Sequence, residues 1–556
     1  MSSSPASLRL GAVFLSLALV ACGSPGGTSH PSGTGGDEPT GDGGSTGTGG
    51  KTATGGAPGT GGKATTGGAG GGGSTGTGGS ETTGGSGGNM GTGGSGNTGG
   101  GGNMGTGGDE GTGGAGGSGP PPAEDLPPCK ATKQVANSGA LGGAIDAAQP
   151  GDCLVLADGN YTLPAITGKK GTAAAPIVIK AANTLKVVVN SGGFSISDSA
   201  YLVVQGIMYT GNTGAKVNNC DHCRVSRCRF QLQDGGFDTF SVSGTSVGVR
   251  VDHNDFGPKT VLGNTIMLSG AGSQIVQQTR LDHNYFHDVK GGGGNGWETI
   301  RAGLSGWWLS SSKTVIEYNL FERCTGDPET ISIKSSDNTI RFNTMRDNHG
   351  EMTLRHGNRQ IVYGNWLLNN DSGIRVCGGL HKIYSNYVGA VNGKAIFLEG
   401  GEHDDNSGMP TDHKQVYGVQ VLFNTVVSSQ GIAVGGAHPM QPKDCIVANN
   451  LLQGGAMLSQ DPGATNTTYS NNFVNGSASV TTGVKMVDPM LMKVGEIFRI
   501  GAGSPVIDAA DPKYTVADDI DGTARSGKLD VGADEFTMGG ALKAPLTTKD
   551  VGPMSH

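Results

Sequence analysis

The sequence predicts an all-β protein, a single-domain right-handed parallel β-helix, from two observations. A short strand pattern that ends in Asn and an apolar or aromatic residue recurs along the chain, with successive asparagines 21 to 38 residues apart. The segments before each asparagine alternate apolar and polar residues, as strands with one buried face do. One coil cannot bury its apolar face alone, so many coils must stack. An antiparallel sandwich with irregularly spaced strands is the alternative fold.

The recurring asparagines are expected to form a ladder along one edge of the solenoid. An amide side chain at a turn can hydrogen-bond the backbone of its own coil and of the next coil. Short gaps predict bare coils, and long gaps predict coils that carry loops. The positions are Asn254, Asn284, Asn319, Asn343, Asn365, Asn386, Asn424, Asn450 and Asn472.

The start of the chain predicts export and lipid anchoring. The apolar run Leu10 to Ala21 is too short for an ordinary membrane-spanning helix, so residues 1–21 are interpreted as a signal peptide. The run ends in Leu-Val-Ala-Cys22, which resembles the lipobox of bacterial lipoproteins. We therefore expect an outer-membrane lipoprotein or cell-surface protein that contacts the membrane only through a lipid on Cys22.

Composition divides the rest of the chain. Residues 22–122 are rich in Gly, Ser and Thr and contain no aromatic residue, which predicts a disordered tether. Residues 123–540 are expected to form the β-helix domain, and residues 541–556 a C-terminal tail. A disulfide between Cys129 and Cys153 would hold the amphipathic segment Ser138 to Ala148 as a helical cap over the first coil. The cluster Cys220, Cys223 and Cys228 could suggest zinc, but no second pair follows at finger spacing. Cys228 falls on the ladder register and is interpreted as a residue packed in a turn.

Charge indicates the kind of ligand. The formal net charge is −8, which argues against a general attraction to nucleic acid or to an anionic membrane surface. Between Ile331 and Ala390 the sign reverses, with seven cations against four anions. A basic stripe on an acidic solenoid favours an extended anionic ligand such as a polysaccharide, bound by a monomer. An ordinary solvated face with alternating charge is the alternative.

Strand parity predicts a column of cations. If Ile333 and Leu354 point inward, then Lys334 and Arg355 point outward, and the same alternation turns Arg375 outward. The three basic residues lie 21 and 20 residues apart, which is one coil each. Lys334, Arg355 and Arg375 are therefore expected to stack on neighbouring coils.

Oxygen donors precede this column in the sequence. Asp327 and Glu329 come just before the strand of Lys334, and Asn295 and Glu298 lie in an earlier loop. Carboxylates and an amide carbonyl are hard ligands of the type that hold Ca²⁺, with a substrate carboxylate completing the shell. Because Asp-Pro-Glu is also a common turn, a turn without a metal is the alternative.

Such a combination suits β-elimination from a uronate polysaccharide. The C5 proton of a uronate becomes acidic enough only when a cation such as Ca²⁺ neutralises the neighbouring carboxylate. Lys334 would then take the proton, while Arg355 would stabilise the developing charge or protonate the leaving oxygen. Two surface cations that lie on neighbouring coils by accident are the alternative.

The stretch Asn319-Leu-Phe-Glu-Arg-Cys-Thr-Gly-Asp-Pro-Glu-Thr-Ile-Ser-Ile-Lys through Leu354-Arg-His-Gly-Asn resembles polysaccharide lyase family 6, which contains alginate lyases and chondroitinase B. The likeness is specific over Asn295 to Asn386 and looser from Cys129 to Phe536. One departure is Asp327, where the family commonly has Glu. The resemblance implies Lys334 as base, Arg355 as acid, Asn295, Asp327 and Glu329 as Ca²⁺ ligands, and Arg301, His356 and Arg375 as substrate-binding residues.

The expected function is therefore that of a lipid-anchored, calcium-assisted lyase of a uronate polymer, with alginate favoured. A chondroitin or dermatan sulfate lyase with the same machinery is one alternative. A pectate-type lyase with another calcium arrangement is a second alternative. A non-catalytic carbohydrate-binding surface protein that kept the groove is a third.

Overall fold

A computed structural model describes residues 126–232, 238–292, 294–539 and 542–555. The predicted signal peptide, Cys22 and the predicted tether lie outside these described residues. Within the described ranges, no helix has the length and apolar character needed to cross a membrane.

The described strands stack in parallel as three faces around one apolar core, which confirms the all-β prediction of a parallel β-helix. Each regular coil contributes one strand to each face. In the described ranges the first face consists of Ala131–Val135, Asp152–Leu156, Ile177–Ala181, Leu202–Gln205, Arg224–Ser226, Arg250–Asp252, Arg280–Asp282, Val315–Glu317, Thr339–Arg341, Ile361–Tyr363, Lys382–Tyr384, Gln420–Leu422, Ile446–Ala448 and Thr468–Ser470.

The second and third faces are joined through the long strand Leu451–Gln460, which pairs with both. The second face consists of Gly159–Thr162, Val187–Ser191, Ile207–Tyr209, Arg229–Phe230, Asp255–Phe256, Tyr285–His287, Leu320–Glu322, Thr344–Arg346, Trp366–Leu368, Tyr387–Gly389, Thr425–Val427, Leu451–Gln460, Asn472–Ala478 and Val484–Met486. The third face consists of Ile166–Thr167, Ser195–Ser197, Ala215–Asn218, Phe240–Ser243, Ile266–Leu268, Ile300–Ala302, Glu329–Lys334, Glu351–His356, Ile374–Val376, Ile396–Leu398 and Ile432–Val434.

Short irregular elements lie beside these faces. Gly270–Ala271 pairs antiparallel with Gln274–Ile275, and Leu491–Val494 pairs antiparallel with Ile497–Ile500. A single 3₁₀ turn, Ser305–Trp307, follows the third-face strand Ile300–Ala302.

The asparagine ladder is confirmed at all nine predicted positions, and each of these side chains is fully buried. In each of the eight steps, the backbone N–H and the side-chain Nδ2 of one asparagine donate to Oδ1 of the next, at 2.9 to 3.1 Å. Cys228 extends the register, since its N–H donates to Asn254 Oδ1 at 2.8 Å. The ladder therefore links the coils along the corner between the first and second faces.

The residue before each ladder asparagine has a left-handed backbone, with φ between +43° and +64°. This conformation turns the chain from the first face to the second, and it is costly for residues other than glycine. Bulky residues such as His253, Tyr318 and Phe342 nevertheless occupy it. The buried hydrogen bonds of the following asparagine offset that cost.

The predicted N-terminal cap is present. Ser138–Asp146 forms a helix whose N-cap residue, Asn137, accepts a hydrogen bond from the N–H of Ala140 at 3.2 Å. Leu141 and Ile145 are buried in the solenoid core. The Cys129–Cys153 disulfide is formed, with the Cα atoms 5.7 Å apart, as the sequence predicted.

The described C-terminal residues contact the outside of the second face and its corners. The N–H of Leu546 donates to Thr344 Oγ1 at 2.8 Å, and the guanidinium of Arg227 donates to the carbonyl of Ser555 at 2.6 Å. Residues 542–555 therefore run back along several coils.

Candidate active site

Two neighbouring strands of the third face carry the predicted catalytic pair. We call Glu329–Lys334 the lysine strand and Glu351–His356 the arginine strand. Ile333 and Leu354 are fully buried in the core. Because side chains alternate along a strand, Lys334 on the lysine strand points away from the core. The predicted inward direction of Ile333 and Leu354 is thus confirmed.

The predicted column of Lys334, Arg355 and Arg375 is wrong in its register. Ile333 pairs with Leu354, but Lys334 pairs with His356, so Arg355 is the extra residue of a β-bulge. Arg375 pairs with Thr353, two residues away from Arg355. A spacing of one coil length could not reveal this inserted residue.

The two arginines nevertheless meet at one carboxylate. Arg355 Nε lies 3.7 Å from Glu329 Oε1, and an Nη of Arg375 lies 3.8 Å from the same oxygen. Ser332 Oγ donates to the other oxygen, Glu329 Oε2, at 2.5 Å. Glu329 therefore links the predicted acid to the predicted substrate-binding arginine.

Arg375 is also held from the opposite side. Its Nε and an Nη donate to the Glu399 carboxylate at 2.8 and 3.1 Å, and an Nη lies 3.6 Å from Glu351 Oε1. Burial raises the pKa of Glu351 to about 7. The positive charge of Arg375 lowers this pKa, and the negative charges of Glu329 and Glu399 raise it. The guanidinium is thus fixed in orientation by acidic neighbours.

His356 is the centre of a cluster of positive charge. Its ring is buried, with Nε2 3.3 Å from Ser305 Oγ. Burial lowers the pKa of His356 well below its usual value, and the charges of Arg355, Lys334, Lys414 and Arg301 lower it further. The imidazole is therefore neutral near pH 7. We call these four cations the basic cluster.

Lys414 was missed in the sequence analysis. It is buried, its Nζ donates to the Ser407 carbonyl at 2.7 Å, and it lies 5.2 Å from the centre of the Trp308 ring. The residue belongs to the long connection between Leu398 and Gln420. The long gap before Asn424 indicates a loop there, but no local signal shows which of its residues returns to the outer side of the third face around His356, which we call the groove.

Buried carboxylates lie next to the basic cluster. Asp327 Oδ1 accepts the N–H of Glu329 at 2.9 Å, and its Oδ2 accepts the N–H of Trp297 at 3.2 Å. Burial raises the pKa of Asp327 to about 6, and the charges of Glu298 and Glu329 add to this rise. We call Glu298, Asp327 and Glu329 the acidic cluster.

Glu298 lacks the hydrogen bonds that a buried carboxylate needs. Both of its oxygens are buried, and neither accepts a hydrogen bond from the described residues. Arg301 Nε is 3.7 Å from Glu298 Oε1. Repulsion within the acidic cluster and these two orphaned oxygens fit a hard divalent cation such as Ca²⁺.

The predicted ligand set is thus only partly brought together. Asp327 and Glu329 are two residues apart, and the charges of Glu329 and of Glu298, which the predicted set omits, act on Asp327. These three carboxylates are not among the groups of described residues whose ligand atoms all lie within 4.8 Å of one another. Asn295 lies exposed in the same loop, two residues before Trp297, whose N–H contacts Asp327. Arg301 of the basic cluster is buried and pairs with Ser332 in the strand register, and its Nε lies 3.7 Å from Glu298 of the acidic cluster.

Comparison with known proteins shows the family to which this chain belongs. A family model described as Chondroitinase B matches residues 135–475, more than half of the chain. The chain therefore belongs to the chondroitinase B family, which is polysaccharide lyase family 6. No curated protein sequence matches the chain.

Solved structures of this family share the fold. The alginate lyase AlyGC is 25% identical with a TM-score of 0.58, over 67% of this chain and 55% of that chain. A mannuronic acid specific family 6 lyase from human gut microbiota is 24% identical with a TM-score of 0.54, over 64% and 91%. The lyase Pedsa3628 from Pseudopedobacter saltans is 20% identical with a TM-score of 0.54, over 76% and 99%. The chain therefore spans little more than half the length of AlyGC.

Proposed function

We propose that this lyase cleaves a uronate-containing polysaccharide, with alginate as the favoured substrate, by calcium-assisted β-elimination. The observation that carries the proposal is the contact between the two clusters. Arg355 of the basic cluster lies 3.7 Å from Glu329 of the acidic cluster. A site of this kind can bind a sugar carboxylate through a cation and hold a base and an acid beside the same sugar.

Asp327, Glu329 and Glu298 would hold the calcium ion, with Asn295 as the further donor that family resemblance implies. When bound, the ion supplies positive charge that neutralises the substrate carboxylate and makes the C5 proton more acidic. Arg301 and Arg375 would orient the chain of sugars by charge-assisted hydrogen bonds to their carboxylates.

Lys334 would remove the C5 proton. Its side chain is 6% exposed, so it acts in a site from which most water is excluded. The electrons of the C5–H bond then form the C4–C5 double bond, while the C4–O bond breaks and the leaving oxygen takes a proton. Arg355 would stabilise and protonate that oxygen, since one of its Nη atoms is buried and donates no hydrogen bond to the described residues.

His356 would act as a neutral group rather than a charged one. Its Nδ1 is buried and has no hydrogen-bond partner among the described residues. A neutral imidazole can donate to or accept from a sugar hydroxyl without adding charge. We infer that it positions the sugar next to Lys334.

A substrate panel tests the proposal. The full chain is incubated with alginate, dermatan sulfate and polygalacturonate in the presence of Ca²⁺, and the ultraviolet absorbance of the unsaturated uronate product is followed. We expect the largest signal with alginate and loss of the signal on chelation. Full activity in chelator would contradict the role of calcium, and a signal only with polygalacturonate would contradict the substrate class.

A dermatan or chondroitin sulfate lyase is the second candidate, because the matching family model is described as Chondroitinase B. Dermatan sulfate also contains a uronate, so the same residues would perform the same reaction on it. A signal from dermatan sulfate that exceeds the signal from alginate would favour this candidate.

We also propose that the protein is exported and anchored through a lipid on Cys22. The support is the apolar run that ends in Leu-Val-Ala-Cys22. Metabolic labelling with a radioactive fatty acid should mark the wild-type chain in the membrane fraction. The Cys22→Ser variant should remain unlabelled, and a labelled variant would contradict the anchor.

A further inference from the structure

A second group of potential metal ligands lies beyond Arg375 on the third face. Cys377 follows the strand Ile374–Val376, and Glu399 follows the neighbouring strand Ile396–Leu398. His413 comes from the long connection that also carries Lys414, and His438 follows the next strand of the face. We call these four residues the Cys-His cluster.

Their side chains are in continuous contact. Cys377 Sγ lies 3.1 Å from Glu399 Oε2, and Glu399 Oε1 lies 3.3 Å from His438 Nε2. His438 Nε2 lies 2.6 Å from His413 Nδ1. One ligand atom from each of Cys377, Glu399 and His413 falls within 4.8 Å of the other two. Three potential ligands from three segments therefore converge on one point, and His438 contacts two of them.

The cluster is protected from water on most sides. Cys377 is 0% exposed and Glu399 is 7% exposed. His413 and His438 are partly buried. A thiol, a carboxylate and two imidazoles that are withdrawn from water are costly unless hydrogen bonds or a metal satisfy them.

The chemical types of the four potential ligands indicate which metal ion the cluster would bind. Thiolate and imidazole favour zinc over calcium, which prefers oxygen alone. In a tetrahedral zinc site, bond lengths of about 2.0 to 2.3 Å place neighbouring ligand atoms about 3.3 to 3.7 Å apart. Cys377 and His438 contact different oxygens of Glu399, at 3.1 and 3.3 Å, so a zinc ion would take one oxygen of this carboxylate. The two imidazole nitrogens, 2.6 Å apart, would need to separate by about 0.7 Å.

Without a metal, ordinary hydrogen bonds already satisfy part of the cluster. The thiol of Cys377 donates to Glu399, and Arg375 donates to the same carboxylate at 2.8 Å. Since the two histidine nitrogens are within hydrogen-bond distance, one of the rings must donate a proton to the other. A metal would replace the thiol proton and that shared proton, while the arginine could keep its contact with the carboxylate.

We propose that Cys377, Glu399, His413 and His438 form a zinc site that is separate from the acidic cluster. A metal at this point would tie the connection that carries Lys414 to the strands that carry Arg375 and Glu399. The site would thereby fix one wall of the substrate groove. This proposal does not depend on the substrate or on the reaction proposed above.

Cobalt substitution tests the site without an activity assay. The full chain is stripped with a strong chelator and titrated with Co²⁺, and the charge-transfer band from thiolate to Co²⁺ is recorded in the near ultraviolet. We expect about one Co²⁺ per chain and displacement of the band by Zn²⁺ but not by Ca²⁺. Mass spectrometry of the untreated protein should find zinc at a similar ratio.

Two variants and a matched control locate the metal. Cys377→Ala should lose the band, and His413→Gln should bind Co²⁺ at least about tenfold more weakly because one ligand is lost. Cys445→Ala should keep the band, since Cys445 is also a buried free cysteine but its thiol contacts the Lys443 carbonyl at 3.4 Å. Circular dichroism checks that each variant is folded.

Two results would overturn the proposal. One is the absence of the band from the wild-type chain. The other is its persistence in Cys377→Ala, which would assign the thiolate to another cysteine. Because His413 belongs to a partly exposed connection, its variant provides an answer even if the cysteine variant does not fold.

Discussion

The ladder corner and the groove side of the third face differ in whether their buried polar groups are hydrogen-bonded. At the ladder corner each asparagine is fully buried, and its amide is hydrogen-bonded to the coils on either side. On the groove side, both oxygens of Glu298, Nδ1 of His356 and one Nη of Arg355 are buried without hydrogen bonds from the described residues. The hydrogen-bonded groups at the corner stabilise the solenoid. The groups on the groove side that lack hydrogen bonds can bind an ion or a substrate.

The two regions also differ in strand register. Strands that flank the ladder corner near the site pair without a shift, as Thr344–Arg346 does with Trp366–Leu368. The lysine and arginine strands pair with two register shifts. Because each coil is fixed by its ladder asparagine, an extra residue at the groove bends only the local strand. The regular corner thus allows an irregular site.

The largest expected effect comes from the base. Lys334→Ala should lower turnover of alginate by about 10² to 10⁴-fold, because proton abstraction loses its positioned base. Retention of the polymer on the variant should persist, since the arginines remain. Turnover is measured by product absorbance and retention by affinity electrophoresis. Lys382→Ala, at an exposed first-face lysine, is the control, and unchanged turnover in Lys334→Ala would remove Lys334 as base.

A break in the ladder should cost stability rather than catalysis. Asn343→Ala removes the acceptor for two donors of Asn319 and removes a side-chain donor from the Ile316 carbonyl. We expect a loss of about 2 to 4 kcal/mol, measured as a fall in the thermal unfolding midpoint. The exposed Asn392→Ala should change the midpoint little. Equal midpoints in the two variants would contradict the role of the ladder.

The acidic cluster should destabilise the metal-free protein as pH rises. The folded pKa of Asp327, about 6, lies above the ordinary value of 3.8, so the folded state holds its proton longer than the unfolded state. Stability should therefore fall by about 1 to 3 kcal/mol between roughly pH 4 and 6.5. The thermal midpoint is measured over this range in chelator and in excess Ca²⁺.

The variant Asp327→Asn isolates this effect from Glu351, whose pKa is also raised. In chelator the variant should lose part of the pH dependence and unfold at a higher temperature than the wild type near pH 7. Calcium should raise the wild-type midpoint more than that of the variant. A variant that is less stable than the wild type in chelator would show that Asp327 is not under repulsion.

The smallest expected effect concerns His356. Because its pKa is lowered well below 6.5, the ring stays neutral from pH 6 to 8 and should not titrate in that range. His356→Gln should therefore lower the rate without changing the shape of the pH–rate profile from pH 6 to 8. A profile limb near pH 6.5 that disappears in the variant would show that the ring titrates during the reaction.

The sequence by itself determined the repeating parts of this protein. A ladder asparagine recurs in nine coils after a segment of alternating apolar residues, so these positions follow from local pattern. The disulfide and the helical cap were also predictable, because Cys129 and Cys153 flank an amphipathic segment. The inward direction of Ile333 and Leu354 followed from the period of a strand.

Only the tertiary structure decided the parts of the site that come from distant or irregular segments. The bulge at Arg355 shifts one residue without changing the coil length, so spacing cannot show it. Lys414 and His413 reach the third face from a long connection, and Glu298 becomes important because the folded chain buries it beside Asp327. Local pattern determines which face a residue lies on. Burial and the contacts between charged side chains depend on where the loops fold back onto that face.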